Sequence, residues 1–187
     1  MFFGYFFTLS LLFSSFGIVA SVPSTAGVRK RQNTADIENI FSALESSTNT
    51  ILPQITTLGR SGNASNTNIT PLVDDLTTAL STASSSLSSL ATSSRKSRRQ
   101  SDDDVANLVA GIITDIANAL KTLLGDTAAI PNLGSLIGDV DTALNEVLSG
   151  LETLLAGVLT LVASLLVDVA GLLQSLSLSL TFASLGL

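Results

Sequence analysis

From Leu144 to Leu176, apolar side chains recur at alternating four- and three-residue steps. They are Leu144, Leu148, Leu151, Leu155, Val158, Val162, Leu165, Val169, Leu172 and Leu176. This spacing holds one stripe on one side of a helix, as in a coiled-coil seam. Leu154, Leu159, Leu161, Leu166 and Leu173 lie beside the stripe and widen it beyond the needs of a two-helix contact. Burying one Leu is worth about 1.5–3 kcal/mol relative to leaving it in water. Such a surface must fold back on other helices, self-associate or meet an apolar partner. The expectation is a long Leu-rich C-terminal helix whose ten seam residues form an apolar contact face.

Two rival readings touch the same segment. Residues 153–173 are long enough for a membrane span of about 20 residues. Against a span stand Asp168, costing about 2.5–3.5 kcal/mol near mid-helix, and the lack of Lys or Arg at either end. Asp168 equally interrupts the unbroken apolar tail of a lipid-anchor signal. Farther on, Leu176, Leu178, Leu180 and Phe182 alternate with Ser177, Ser179 and Thr181. Period two suits a strand with one wet and one dry face.

The N-terminus is apolar for a different reason. Residues 2–20 are rich in Phe and Leu and end in small residues before Pro23. This is the pattern of a secretory signal peptide (1–20) cleaved after Ala20. Arg29-Lys30-Arg31 follows and matches a kexin-type processing site, so 21–31 is expected to be a short pro-segment removed after Arg31. A second basic cluster ends in Arg98-Arg99, within a Ser-rich, partly disordered linker assigned to residues 84–101. Cleavage after Arg99 would leave Gln100 as a new terminus, as cleavage after Arg31 leaves Gln32. The linker's composition also suits O-linked sugar.

The two clusters mark an internal duplication. Asp36-Ile37-Glu38-Asn39-Ile40-Phe41 lies over Asp104-Val105-Ala106-Asn107-Leu108-Val109 at an offset of 68 residues. Leu72 to Leu80 lies over Leu136 to Leu144 at an offset of 64, as expected if the second copy has a shorter loop. Each copy follows a helix–loop–helix pattern. In the first, Pro53 should kink or divide the helix and Gly59 should end it. Thr70-Pro71 has the form of a helix start. In the second, Ser101-Asp102-Asp103-Asp104 caps a helix that runs to Gly125, its carboxylates on the positive end. The Asp run lacks the Gly and distal Glu of a calcium loop. The resulting expectation is an all-α bundle of two degenerate repeats, 32–83 and 102–187, the second carrying the apolar tail.

What the chain lacks excludes whole classes of chemistry. Among its 187 residues there is no Cys, His or Trp. This removes disulfides, Cys/His metal sites and His-activated nucleophiles. Six of eight Phe and the single Tyr lie within residues 2–16, so the secreted chain keeps only Phe41 and Phe182. Sugar-stacking and base-stacking sites usually need more aromatic surface. A pI near 4.4 gives no basic footprint for nucleic acid. The acidity is lopsided. Residues 32–99 are neutral overall, whereas residues 100–187 carry a net −9. The paired carboxylates Asp74/Asp75 and Asp139/Asp141 point apart on a helix and belong to solvated faces. No catalytic, metal or cofactor site is therefore expected. The loop before Thr70 carries two glycan sequons, at Asn63 and Asn68.

The signal peptide, the Arg29-Lys30-Arg31 site, the Ser/Thr-rich middle and the Leu-rich end from Leu144 to Leu187 together resemble a class of fungal proteins. These are cysteine-free, secreted cell-wall and matrix proteins of mushroom-forming fungi, with a polar N-terminal half and an apolar C-terminal half. In style the helices are also similar to the fungal hydrophobic-surface-binding protein family. The resemblance implies a non-enzymatic, surface-active role in aerial growth or hyphal attachment. The implied partners are hydrophobic surfaces, cell-wall components or a second copy. Two alternatives stay open: an extracellular lipid or sterol carrier, and a precursor of two fragments cut after Arg31 and Arg99.

Overall fold

The computed structural model describes residues 25–93 and 102–187, with side chains placed from 36 to 92 and from 103 onward. The signal-peptide assignment with Ala20, the start of the pro-segment, and Arg99 lie outside the described residues. Every regular element among the described residues is helical, as the periodicity requires. The helices are α1 (Thr25–Ser61), α2 (Asn66–Ser93), α3 (Asp102–Lys121), α4 (Leu133–Leu154), α5 (Val158–Leu165), α6 (Ala170–Ser175) and α7 (Ser179–Leu185). Short 3-10 turns occupy Leu124–Asp126 and Val167–Val169. Arg31 falls within the N-terminal turns of α1, six residues before Ile37, the first buried residue among the placed side chains.

The duplication is written in the burial pattern. At the offset of 68 residues, Ile37, Phe41, Leu44, Ile51 and Ile55 correspond to Val105, Val109, Ile112, Ala119 and Leu123, and all ten are buried. At the offset of 64, Val73, Leu76, Leu80, Ala83 and Leu87 correspond to Ile137, Val140, Leu144, Val147 and Leu151, again all buried. α1–α2 and α3–α4 are therefore two helical hairpins built on one apolar template. α1 packs on both α2 and α3, and α2 packs along α4. Gly59 matters to this docking. A Cβ there would lie 2.5 Å from Thr122 Oγ1 and 2.9 Å from the Thr122 carbonyl oxygen, so α1 meets the end of α3 without a side chain between them.

The two hairpins differ in one respect. α1 lies against α2, but α3 and α4 make at most a marginal backbone approach to each other. α5 fills that side by packing along α3 and touching α4, while α7 packs on α4 and on α5 and α6. The C-terminal segment is thus a strap closing the open side of a four-helix core.

Several local expectations are corrected. Pro53 sits inside α1 without dividing it. α1 runs past Gly59 and ends at Gly62, whose φ of +65° lets the Asn63 N–H reach the Leu58 carbonyl at 3.3 Å in a Schellman turn. α2 starts at Asn66, ahead of Thr70-Pro71, and α3 stops at Lys121, short of Gly125. Residues 84–93, assigned to the Ser-rich linker, are the last turns of α2. Ala83 and Leu87 are buried there, so tertiary packing outweighs the weak helix preference of Ser.

The long C-terminal helix is also corrected. It breaks at Leu155–Gly157, where Gly157 takes a φ of +92°, then at Leu166–Val169, and again at Leu176–Leu178. The alternating stretch after Leu176 is α7 and not a strand. A lone edge strand has no ladder to join here, whereas α7 satisfies its backbone internally and against α4.

Candidate functional site

The strap is where the apolar surplus of the sequence goes. Leu144, Leu148 and Leu151 lie on α4 and face the core, and Val158, Val162 and Leu176 are buried with them. Leu155, Val169 and Leu172 are partly buried against the same core. Leu165 breaks the pattern at 45% exposed. Ten residues in helical register along the sequence therefore do not form one open face. The three breaks rotate successive pieces so that most of the stripe turns inward. What stays uncovered is Leu165, Val167 at 62% and Leu180 at 44%. Only Leu165 of these belongs to the seam.

Hydrogen bonds hold the first and third breaks. At the first, the Glu152 carboxylate accepts the N–H of Gly157 at 2.8 Å and of Leu159 at 3.3 Å, capping α5 across the turn. At the third, Ser177 adopts a φ of 59°. The Leu178 N–H reaches the Leu173 carbonyl at 3.1 Å and the Ser177 N–H reaches Gln174 at 3.0 Å, a Schellman turn with Ser where Gly is usual. The last helix is fastened to α4. The Asp141 carboxylate accepts the N–H of Leu180 at 2.9 Å and of Thr181 at 2.8 Å, and so caps α7 from another helix. The Ser184 hydroxyl donates to Asn145 Oδ1 one turn farther along α4. Asp141 is only 3% exposed, so its assignment to a solvated face is corrected. Asp139 stays exposed, as expected. Sequence reasoning missed Asp141 because its partners lie about 40 positions away and are backbone groups, which leave no residue signature.

A membrane span through this region is not built as one rod. α5 and the Val167–Ser175 stretch are bent 58° from each other. The bend leaves Asp168 exposed. By length and composition the Asp103–Asp126 stretch could cross a membrane, but half of its apolar window is buried in the bundle, as for a core helix.

Two further places lie outside the strap. At the centre of the four-helix core, Phe41, Leu80, Ile113 and Leu148 help line an apolar cavity of about 10 Å³, room for one water at most. Outside, a groove between α2 and α4 is lined by hydroxyls including Thr78, Ser81 and Ser85, with Asp74, Asp139 and Glu146 along it. Several of its hydroxyls are spent on their own helices: Thr77 donates to Val73, Thr82 to Thr78 and Thr142 to Gly138, at 2.8–2.9 Å. Among the described residues no group of three or more carboxylates could hold a metal ion.

Asn63 is exposed beside Gly62, whereas Asn68 is half-buried in the first turn of α2. Arg31 and the exposed Asn63 lie away from the strap in the chain's order, and nothing among the described residues joins them into one site.

No protein-family model matches this chain. Over 70 residues it is 43% identical to Fruiting body differentiation protein 16 of Flammulina velutipes, a stretch covering 36% of this chain and 55% of that protein. The chain thus spans about half the length of the curated relative it matches. It is similar to a protein of a mushroom-forming fungus. The narrower likeness to the hydrophobic-surface-binding family gains no support from these comparisons.

Proposed function

We propose that this chain is a secreted, non-enzymatic protein of the fungal wall or extracellular matrix that acts in fruiting-body development. Its strap is the part that meets apolar surfaces. The relative's name supports the developmental setting. The strap's construction carries the surface reading: a Leu- and Val-rich layer in three short helices, closing a side that the hairpins leave open. In the closed form most of the apolar stripe is hidden, so adsorption requires the strap to swing out on the turn at residues 155–157. Leu165, Val167 and Leu180 make the first contact. Opening then offers the inner faces of α3, α4 and α5 to the surface.

The test uses the absence of native Cys. In residues 32–187, Asn145→Cys combined with Ser184→Cys places a thiol pair across the α4–α7 contact, and disulfide formation is checked by mass. The oxidised protein should adsorb poorly to a Teflon-like surface and the reduced protein should adsorb well. Equal adsorption by both forms rejects the opening mechanism. Deleting residues 144–187 would not serve, because Leu144, Leu148 and Leu151 belong to the core.

The two alternatives fare differently. A lipid or sterol carrier would need a chamber far larger than the 10 Å³ at the core, so it too requires opening. Stoichiometric lipid in the purified protein would favour it. Cutting after Arg99 would, on this reading, leave a nicked molecule and not two free fragments; the packing of α1 on α3 and α2 on α4 across the cut supports that.

A further inference from the structure

We propose that Asn63 is the glycan acceptor of this chain and that Asn68, despite heading a sequon of its own, stays bare because it caps α2. The proposal rests on the secretory reading above. Both asparagines lie within six residues of the α1–α2 turn, yet the fold uses them in opposite ways.

Asn63 follows Gly62 and projects from the turn into solvent. Its main chain is fixed by the N–H bond to Leu58 and by its carbonyl, which accepts from Asn68. Its side-chain amide takes part in neither, so Nδ2 can carry a sugar without any bond being broken.

Asn68 is the third residue of α2. Its Oδ1 accepts the N–H of Ser65, the residue before the helix, at 2.8 Å, and its Nδ2 donates to the Asn63 carbonyl at 2.8 Å. The Ser65 carbonyl in turn accepts the N–H of Ile69 at 3.0 Å, opening the helix. The Asn68 side chain thus performs the return half of a capping box, reaching back from N3 to the N-cap backbone. A bulky substituent on Nδ2 would have to fit beside the Asn63 carbonyl that this nitrogen contacts. The third residue of that sequon, Thr70, has a hydroxyl buried without a partner, which also places it away from solvent.

The consequence is polar geometry. The Asn66 N–H donates to the Ala129 carbonyl at 3.2 Å, so the α1–α2 turn sits beside the α3–α4 connection. A sugar on Asn63 marks that pole, and α4 runs from it for about 33 Å at 1.5 Å per residue before reaching the turn on which the strap opens. Hydrophilic mass and apolar strap hinge then lie at opposite ends of one molecule.

The chain is produced in yeast behind the host's own secretion leader, which forces passage through the glycosylating compartment. Enzymatic deglycosylation in heavy-oxygen water converts each glycosylated Asn to labelled Asp, read by peptide mass spectrometry. Label at residue 63 alone is expected; label at 68, or at neither, overturns the assignment. In bacterially produced, sugar-free protein, Asn68→Ala should lower the melting midpoint by about 2–4 °C, the loss of one helix cap. Asn63→Ala should leave it unchanged, and equal midpoints would refute the capping role. If the chain's own leader fails to export it while the host-led protein is labelled at 63, the secretory reading falls and the acceptor assignment stands.

Discussion

The paired hairpins and the strap are built from the same residue types to different standards. In the hairpins, equivalent positions of two copies are buried together and helices run for 20 residues or more. In the strap, no helix exceeds 8 residues. Its joints include a left-handed Ser177, and three large apolar side chains stay in water. A left-handed non-glycine residue costs about 1–2 kcal/mol. The strap buries Val158, Val162, Leu166 and Leu173 fully, but it does so with short helices joined by turns. Local opening is expected to start at such joints.

This contrast can be broken by substitution. Phe41→Ala, at the centre where all four core helices meet, should cost about 3–5 kcal/mol, read as a shifted urea midpoint for the whole fold. Asp141→Ala should cost about 2–3 kcal/mol, because it strands two N–H groups of α7 that now meet a carboxylate. Its effect should be local. Hydrogen exchange at Leu180 and Thr181 should accelerate while α1 and α2 amides keep their protection, and equal loss of protection in α1 would make strap and hairpins one cooperative unit. Ser177→Gly should stabilise the strap by about 1 kcal/mol through relief of the left-handed backbone, seen as slower exchange in α7. By the opening mechanism it should also reduce adsorption. Val167→Ser should change stability by less than about 0.5 kcal/mol yet slow adsorption to an apolar surface, since Val167 is the most exposed large apolar residue described. Unchanged adsorption would remove it from the contact face.

Much of the fold was legible along the chain. The 68- and 64-residue offsets anticipated the two hairpins because each copy repeats its apolar positions, and repeated periodicity survives in burial. Sequence also identified Leu144 to Leu176 as material that cannot stay bare. It misjudged where helices end. Thr70-Pro71 has the form of a start, but the working cap is the Asn68 side chain, which accepts the Ser65 N–H. The Ser-rich stretch to residue 93 lacks strong helix formers, but Ala83 and Leu87 pack it into α2.

The sequence by itself determined an all-helical chain, its twofold internal pattern, the exclusion of disulfide and histidine chemistry, and an apolar end that needs a partner. These follow from residue type and spacing, which act locally. Only the tertiary structure decided that the partner is the chain's own open side. Whether α3 and α4 close on each other or leave room for a strap depends on contacts between residues dozens of positions apart. The same is true of Asp141: a carboxylate on an ordinary helix becomes a fastening only when α7 arrives to present its unpaired N–H groups.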